Sequence, residues 1–432
     1  MNNRKNIYES ARLLSGRINS QTARLQQLKQ ASLMRVLFML LALGLSAGTV
    51  SQQSLVGASE TVSVEMHNTI SVNETQGGSQ ADSIPNQVEA TGFQPTRSSI
   101  YTTFYYPWYG NPTTDPGWAF WNGSGAKPPT NWAANYLPLP PNAMNPTTRA
   151  INPSVGLYSS ADRSVFYWQI SQMAQAHLEV AISSWWGRSA SPTSFNPGLY
   201  STNGRADYSF RQIITNWMNR TDNPYPNLRW SLYYEKEGFS DPSVAELVSD
   251  MQYIRDNYIN QPGFLKVGGR PVLFVYGQST DGCAMAQRWL QARAQSGVNF
   301  YLVLKLYSGY KNCTTPADSW HQYAPAVRAG NYAPYSSFIS PGFWKKGSAV
   351  TLARDLAAFD TAAAAMVQAA TRWKMVQTWN EWGEGTSIEP GIQVQLTASG
   401  ATIVSTNAVP FESNYINILA KRLPALQAGT GR

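Results

Sequence analysis

Eight short runs rich in aromatic and β-branched residues recur from residue 98 onward, most of them separated by stretches with apolar residues at helical spacing. The runs cover residues 98–106, 179–185, 228–234, 272–276, 300–306, 318–323, 335–340 and 373–379. The helical stretches cover 163–178, 207–220, 242–258, 283–295, 351–372 and 411–423. Strand alternating with helix implies parallel strands joined by crossovers, because a tight hairpin cannot reach a parallel neighbour. Eight such strands in about 330 residues match a closed barrel. The expected fold class is α/β, a (β/α)8 TIM barrel over residues 98–425, preceded by a membrane segment and a disordered linker. An open doubly wound sheet is the alternative, and it calls for a glycine-rich phosphate loop after the first strand. The first run leads instead into Pro107-Trp108-Tyr109-Gly110-Asn111-Pro112.

The chain ahead of the barrel has a different texture. Residues 1–32 are basic and expected on the cytoplasmic side; seven Lys and Arg against one Glu up to residue 35 account for six of the eight net positive charges. The remainder carries no basic stripe, so no nucleic-acid partner is expected. Residues 33–50 are apolar apart from Arg35, which suits a signal anchor with Arg35 snorkelling, or a signal peptide cleaved near Leu45-Ser46-Ala47. The positive flank comes first, so the barrel is expected outside the cytoplasm, membrane-anchored, or secreted if the segment is cleaved. Residues 51–97, rich in Ser, Thr, Gln and Gly without periodicity, read as a disordered linker. Cys283 and Cys313 stand either as a disulfide of an exported protein or as two buried thiols. No CxxC pair, HExxH or His cluster occurs, so neither metal nor other cofactor is expected. A monomer is expected.

In a parallel barrel the chemistry sits at the C-terminal ends of the strands. Unusual residues gather there. Tyr105-Tyr106-Pro107-Trp108-Tyr109-Gly110 follows the first run, Ser184-Trp185-Trp186-Gly187 ends the second, and Glu235-Lys236-Glu237 follows the third. His321 and Tyr323 lie on the sixth. After the eighth comes Thr378-Trp379-Asn380-Glu381-Trp382-Gly383-Glu384-Gly385-Thr386-Ser387-Ile388-Glu389-Pro390, three carboxylates and two indoles in a chain with only 13% charged residues. Aromatic faces with carboxylates suit a sugar, whose C–H surfaces stack while its hydroxyls are bonded. Glycosidic bonds are usually broken by a carboxylate pair, and no Ser-His-Asp or Cys-His set competes.

In order and together, these pieces resemble glycoside hydrolase family 99, the endo-α-mannosidases and bacterial endo-α-mannanases. Gly156-Leu157-Tyr158-Ser159-Ser160-Ala161-Asp162 and Arg270-Pro271 before a strand ending in Tyr276 complete the match, which runs from about Tyr101 to Pro390. The resemblance implies a retaining endo-glycosidase acting on an α-linked, mannan-like polysaccharide or glycan through a 1,2-anhydro sugar. It gives Glu381 the role of base on the sugar 2-OH and Glu384 that of general acid and base. Repulsion within the pair, beside Trp379 and Trp382, is expected to raise one carboxyl and make it the proton donor. Three positions depart from the family's habit: Gly383 stands where His is usual, Ser387 where Gln is, and Glu235-Lys236-Glu237 where Glu-Pro-Tyr is. A glycosidase of another linkage, such as α-glucan, and a carbohydrate-binding barrel without turnover are the alternatives.

The expected substrate contacts are Tyr106, Trp108, Trp185, Trp186, Glu235, Tyr276, His321, Asn380 and Trp382. Trp185 and Trp186 cannot both face inward on one strand, so one of them packs. His321 has packing as its competing role. Glu389 is expected to be structural, His177 a core histidine, and Asp162 a helix-start acid.

Overall fold

A computed structural model describes residues 99–115, 117–121, 136–138, 140, 156–188, 202–343, 345, 349–396, 402–404 and 414–426. The expectations for residues 1–97, the membrane segment among them, lie outside the described residues. Among the described residues no helix is long and apolar enough to cross a membrane.

The elements in chain order are β1 (Ile100–Tyr105), β2 (Tyr136–Pro138), α1 (Arg163–Gln175), β3 (Val180–Trp185), α2 (Thr202–Arg211) and β4 (Arg229–Tyr234). Then come α3 (Val244–Asn257), β5 (Lys266–Val267), β6 (Arg270–Val275), α4 (Cys283–Ser296), β7 (Tyr301–Lys305) and β8 (Ser319–His321). The chain continues through β9 (Ala329–Tyr332), β10 (Ser336–Ile339), α5 (Leu356–Gln368), β11 (Trp373–Val376), β12 (Gly391–Leu396), β13 (Thr402–Val404) and α6 (Asn414–Arg422).

Eight parallel strands follow one another around the sheet as β8-β7-β6-β4-β3-β1-β11-β10, and β9 adds antiparallel to β10. The first and last of these eight in chain order, β1 and β11, meet, with Ile100 opposite Trp373 and Thr103 opposite Val376. All eight runs expected from the sequence are these parallel strands. They are buried along nearly their whole length because side chains fill the barrel on one face and helices cover the other. Within the barrel, Phe104, Tyr233, Phe274, His321 and Trp373 pack ring against ring.

The full (β/α)8 pattern is corrected at one place. No α-helix lies between β7 and β8 or between β8 and β10; a 3-10 turn, Tyr310–Asn312, and the strand β9 stand there instead. The barrel is mixed and nearly closed, its seam lying between β8 and β10, which end the parallel run. Residues 306–318 explain the first missing helix, since Gly309 adopts φ 78° and Pro316 interrupts the short connection. The connection is fastened by a Cys283–Cys313 disulfide to the start of α4. Of the two readings of the cysteines, the structure has the bonded one.

The helix starts follow local chemistry. Asp162 caps α1, accepting from the Ser164 N–H at 2.8 Å, and Ser243 with Glu246 forms a reciprocal capping box on α3. His177 is only partly buried at the end of α1, its Nδ1 3.0 Å from the Leu423 carbonyl. Beyond the last barrel strand, β12 joins β2 and β13 in a separate three-stranded sheet that the sequence reading missed. The alternation Ile392, Val394, Leu396 is the signal that would have found it.

Candidate active site

Period-two alternation sorts the residues at the mouth of the barrel. At the end of β1, Tyr105 faces outward, its hydroxyl donating to Gln169 Oε1 of α1 at 2.7 Å. Its neighbours Phe104 and Tyr106 therefore face inward. On β3 and β4, Trp185 and Tyr234 reach outward to Asp207 of α2 at 2.7 Å and Asp250 of α3 at 2.9 Å. Ser184 and Glu235 turn inward as a result, and the Ser184 hydroxyl donates to Glu235 Oε1 at 2.9 Å.

The chain leaving β11 brings the other two carboxylates to the same mouth. Glu381 precedes a 3-10 turn, Trp382–Glu384, and its Oε1 accepts from the Gly383 N–H at 2.9 Å. Glu384 Oε2 accepts from the Tyr323 hydroxyl at 3.1 Å, and that hydroxyl accepts from Tyr106 at 3.0 Å. Lys345 Nζ stands 3.1 Å from Glu384 Oε1.

Three carboxylates thus crowd one cavity mouth and feel one another. Burial first, and the Glu384 charge second, push Glu381 well above the usual carboxylate range. Burial pushes Glu235 up to about 8; the Ser184 hydrogen bond opposes that rise and the Glu384 charge adds to it.

Aromatic rings wall the mouth. The Tyr276 ring lies 6.0 Å from that of Tyr323 and 5.9 Å from that of Phe239, and Phe239 lies 4.7 Å from Trp186. A side chain on Gly238 would fall 2.0 Å from the Tyr276 ring, so this wall needs glycine there. Trp186 Nε1 donates to the Ser184 hydroxyl at 3.1 Å, linking the rim to Glu235. Trp108 is half-buried, stacked on Phe120 at 5.0 Å and packed on Tyr106.

Four expected substrate contacts are placed elsewhere. Trp185 is fully buried and faces the helical layer, so it is the packing member of the Trp185–Trp186 pair. His321 is fully buried inside the barrel, Nε2 3.1 Å from the Tyr233 hydroxyl, and burial first, then the Lys305 charge, drive it down to about 3. It is a core histidine, packed among the rings of Phe104, Tyr233 and Phe274. Asn380 is fully buried and stitches the first strand to the eighth, accepting from the Tyr106 N–H at 2.7 Å and donating to its carbonyl at 3.0 Å. Trp382 is buried and donates to Glu389 Oε2 at 2.7 Å.

Glu389 anchors the loop. Fully buried, it accepts from Trp382 Nε1, from the Tyr158 hydroxyl at 2.9 Å and from Gln169 Nε2 at 2.6 Å. Glu237 is also fully buried but faces away from the mouth, bonded to Arg288 and to Trp289 Nε1 at 2.9 Å. With Asp241 and Asp281 it forms a group of acids within metal-ligand reach of one another, into which Arg288 inserts.

Sequence reasoning put Ser184 and Tyr323 at strand ends without giving either a contact, and missed Phe239 and Lys345. Tyr323 was within reach of it, since it sits two residues beyond His321 on the same face of the chain. Nothing in the sequence around Lys345 marks it.

Residues 97–300 match the model of glycosyl hydrolase family 99. That stretch holds Tyr106, Trp186, Glu235 and Tyr276, while Glu381 and Glu384 lie beyond it. Glycoprotein endo-α-1,2-mannosidase of Rattus norvegicus is 28% identical over 193 residues, 42% of this chain and 37% of the rat protein. Its Xenopus laevis counterpart is 29% identical over 201 residues, 41% of this chain and 42% of the frog protein. The chain thus spans less than half the length of the curated relatives it matches. Among solved structures, the family 99 endo-α-mannosidase of a Bacteroides thetaiotaomicron complex with bis-tris-propane has a TM-score of 0.52 at 20% identity. The match covers 74% of this chain and 95% of that one, and it supports the barrel fold.

Proposed function

We propose that the chain, whose residues 97–300 match the family's model, is a divergent member of glycoside hydrolase family 99 that hydrolyses an α-linked, mannose-containing glycan or polysaccharide from within. The observation that carries the reading is the pair Glu381 and Glu384 on one turn at the mouth of the barrel, with aromatic rings beside it. A raised carboxyl is a competent base near neutral pH, because its proton affinity approaches that needed to relieve a hydroxyl. Glu381 takes the proton of the sugar 2-OH as that oxygen closes on C1, and the C1–O bond to the leaving sugar breaks. Glu384 gives its proton to the departing oxygen. Water, deprotonated by Glu384, then attacks C1 of the 1,2-anhydro sugar, and the ring-opened O2 takes its proton back from Glu381. Two inversions at C1 give retention.

Glu235, Tyr106, Tyr276 and Trp186 supply sugar contacts in this reading, with Trp108 at the rim. Export and a membrane anchor at residues 33–50 belong to the same proposal, supported by the basic segment ahead of the apolar run.

The test is release of oligosaccharides from α-mannan by the purified protein. Glu384→Gln is expected to lower kcat by about a thousandfold while glycan binding persists. Binding without turnover by the unaltered protein across mannose and glucose polymers would instead favour the non-catalytic barrel. Full activity of Glu384→Gln would remove this mechanism.

A further inference from the structure

Glu381 stands at the centre of a tight reversal of the chain. Its backbone, at φ −81° and ψ 81°, is that of an inverse γ-turn, closed by the Trp382 N–H donating to the Asn380 carbonyl at 3.0 Å. The Tyr109 hydroxyl bridges the two ends of that turn. It donates to the Asn380 carbonyl at 2.7 Å and accepts from the Trp382 N–H at 3.1 Å. One phenol thus bonds both peptide groups that flank Glu381, which takes a group able to donate and accept at once. Tyr109 is itself held at ring and backbone. Its ring is buried, stacked on Trp121 at 4.1 Å and edge-on to Tyr158 at 5.7 Å. Its N–H donates to Ser160 Oγ at 3.1 Å, and its carbonyl accepts from the Ser160 N–H at 2.8 Å and from Arg205 Nη2 at 2.6 Å. Arg205 is fixed in turn by Asp115, Nη1 to Oδ1 at 2.9 Å and Nη2 to Oδ2 at 3.0 Å, both side chains being buried.

We infer that Tyr109 is a positioning residue for Glu381, its hydroxyl pinning both flanking peptide groups so that the carboxylate meets the mouth in one direction. A three-residue turn closed by one hydrogen bond fixes little by itself, because a single such bond adds little net stability. The direction in which the turn projects Glu381 therefore depends on what holds its ends, and Tyr109 holds both from the segment after β1. The inference rests on Glu381 acting as the base, which needs its oxygen within hydrogen-bond reach of the sugar 2-OH. Tyr109, buried under its own partners, acts in this only through Glu381.

Tyr109→Phe in the full chain tests this with two measurements. The Asn380 carbonyl and the Trp382 N–H keep each other as partners, so the fold is expected to stand, with Tm lowered by no more than about 3 °C. Hydrogen exchange at the Trp382 amide is expected to quicken about tenfold or more. On α-mannan, kcat is expected to fall about tenfold with KM within about twofold. Tyr225→Phe is the control. It too takes a buried hydroxyl from a backbone carbonyl, that of Leu178 at 2.8 Å, but at the opposite end of the barrel, ahead of β3 and β4. Its kcat and its Trp382 exchange are expected to match the wild type. Unchanged exchange or unchanged kcat in Tyr109→Phe would overturn the inference, as would an equal loss of kcat in Tyr225→Phe. If the wild type hydrolyses no glycan, the functional reading fails, and exchange at Trp382 alone decides whether Tyr109 holds the turn.

Discussion

Replacing Glu389 by glutamine keeps the shape of the most deeply bonded carboxylate of the loop after β11 and removes its charge. Its three donors, Tyr158, Gln169 and Trp382, all point at acceptor oxygens, and an amide offers one oxygen where the carboxylate offers two. At least one buried donor is left facing an NH2 group, a loss of about 1–3 kcal/mol. A second effect depends on pH. Burial outweighs the three hydrogen bonds and raises Glu389 to about 7 in the folded protein, from an ordinary 4.5. A raised carboxyl binds more protons folded than unfolded, so its contribution to stability is fullest below about 4.5 and falls until the pH passes about 7. At about 1.36 kcal/mol per pH unit, the fall amounts to about 3 kcal/mol. Glutamine does not titrate and is spared it. The stability gap between wild type and Glu389→Gln is therefore expected to narrow by about 3 kcal/mol between pH 4.5 and pH 8. For the 266 described residues at about 2.1 cal/mol/K each, that is about 5 °C in Tm. Thermal melts of both proteins across that range give the answer, because the other titrating groups are common to both and cancel. A gap that stays constant, or widens with pH, would refute the picture of a buried carboxyl held above its usual range.

The two adjacent tryptophans are expected to separate cleanly. Trp185→Phe removes a buried hydrogen bond to Asp207 and is expected to lower stability by about 1–3 kcal/mol in denaturant titration with KM unchanged. Trp186→Ala is expected to raise KM about tenfold with little change in Tm, since the ring is half-buried beside Phe239 at the rim. Replacing Cys283 and Cys313 together by alanine opens a loop of 30 residues and is expected to cost about 3–4 kcal/mol, read as a lowered urea midpoint.

How far the sequence could be read depended on what each residue needed. The eight strands were legible because parallel strands, buried on both faces, must be apolar throughout, and their spacing left room for crossovers. The carboxylate pair was legible because acids are rare in this chain and stood where barrel chemistry gathers. The missing helices at the seam were harder, since a short connection with Gly309 and Pro316 says only that no helix forms there, not what does. Asn380 and Trp382 looked like ligands because polar and aromatic residues beside a carboxylate at a barrel mouth serve both purposes. Only their partners, Tyr106 and Glu389, show that they hold the loop.

The amino-acid sequence by itself therefore determined the order of strand and helix, and it put Glu381 and Glu384 just beyond the last barrel strand, where the fold places them. Tertiary structure alone decided which face each rim residue shows. Alternation says that Trp185 and Trp186 part company, but in a strand buried on both sides neither face is marked by solvent, so the direction waits for a partner such as Asp207. The same holds for His321, drawn under the mouth by the rings around it, and for Glu235, the third carboxylate.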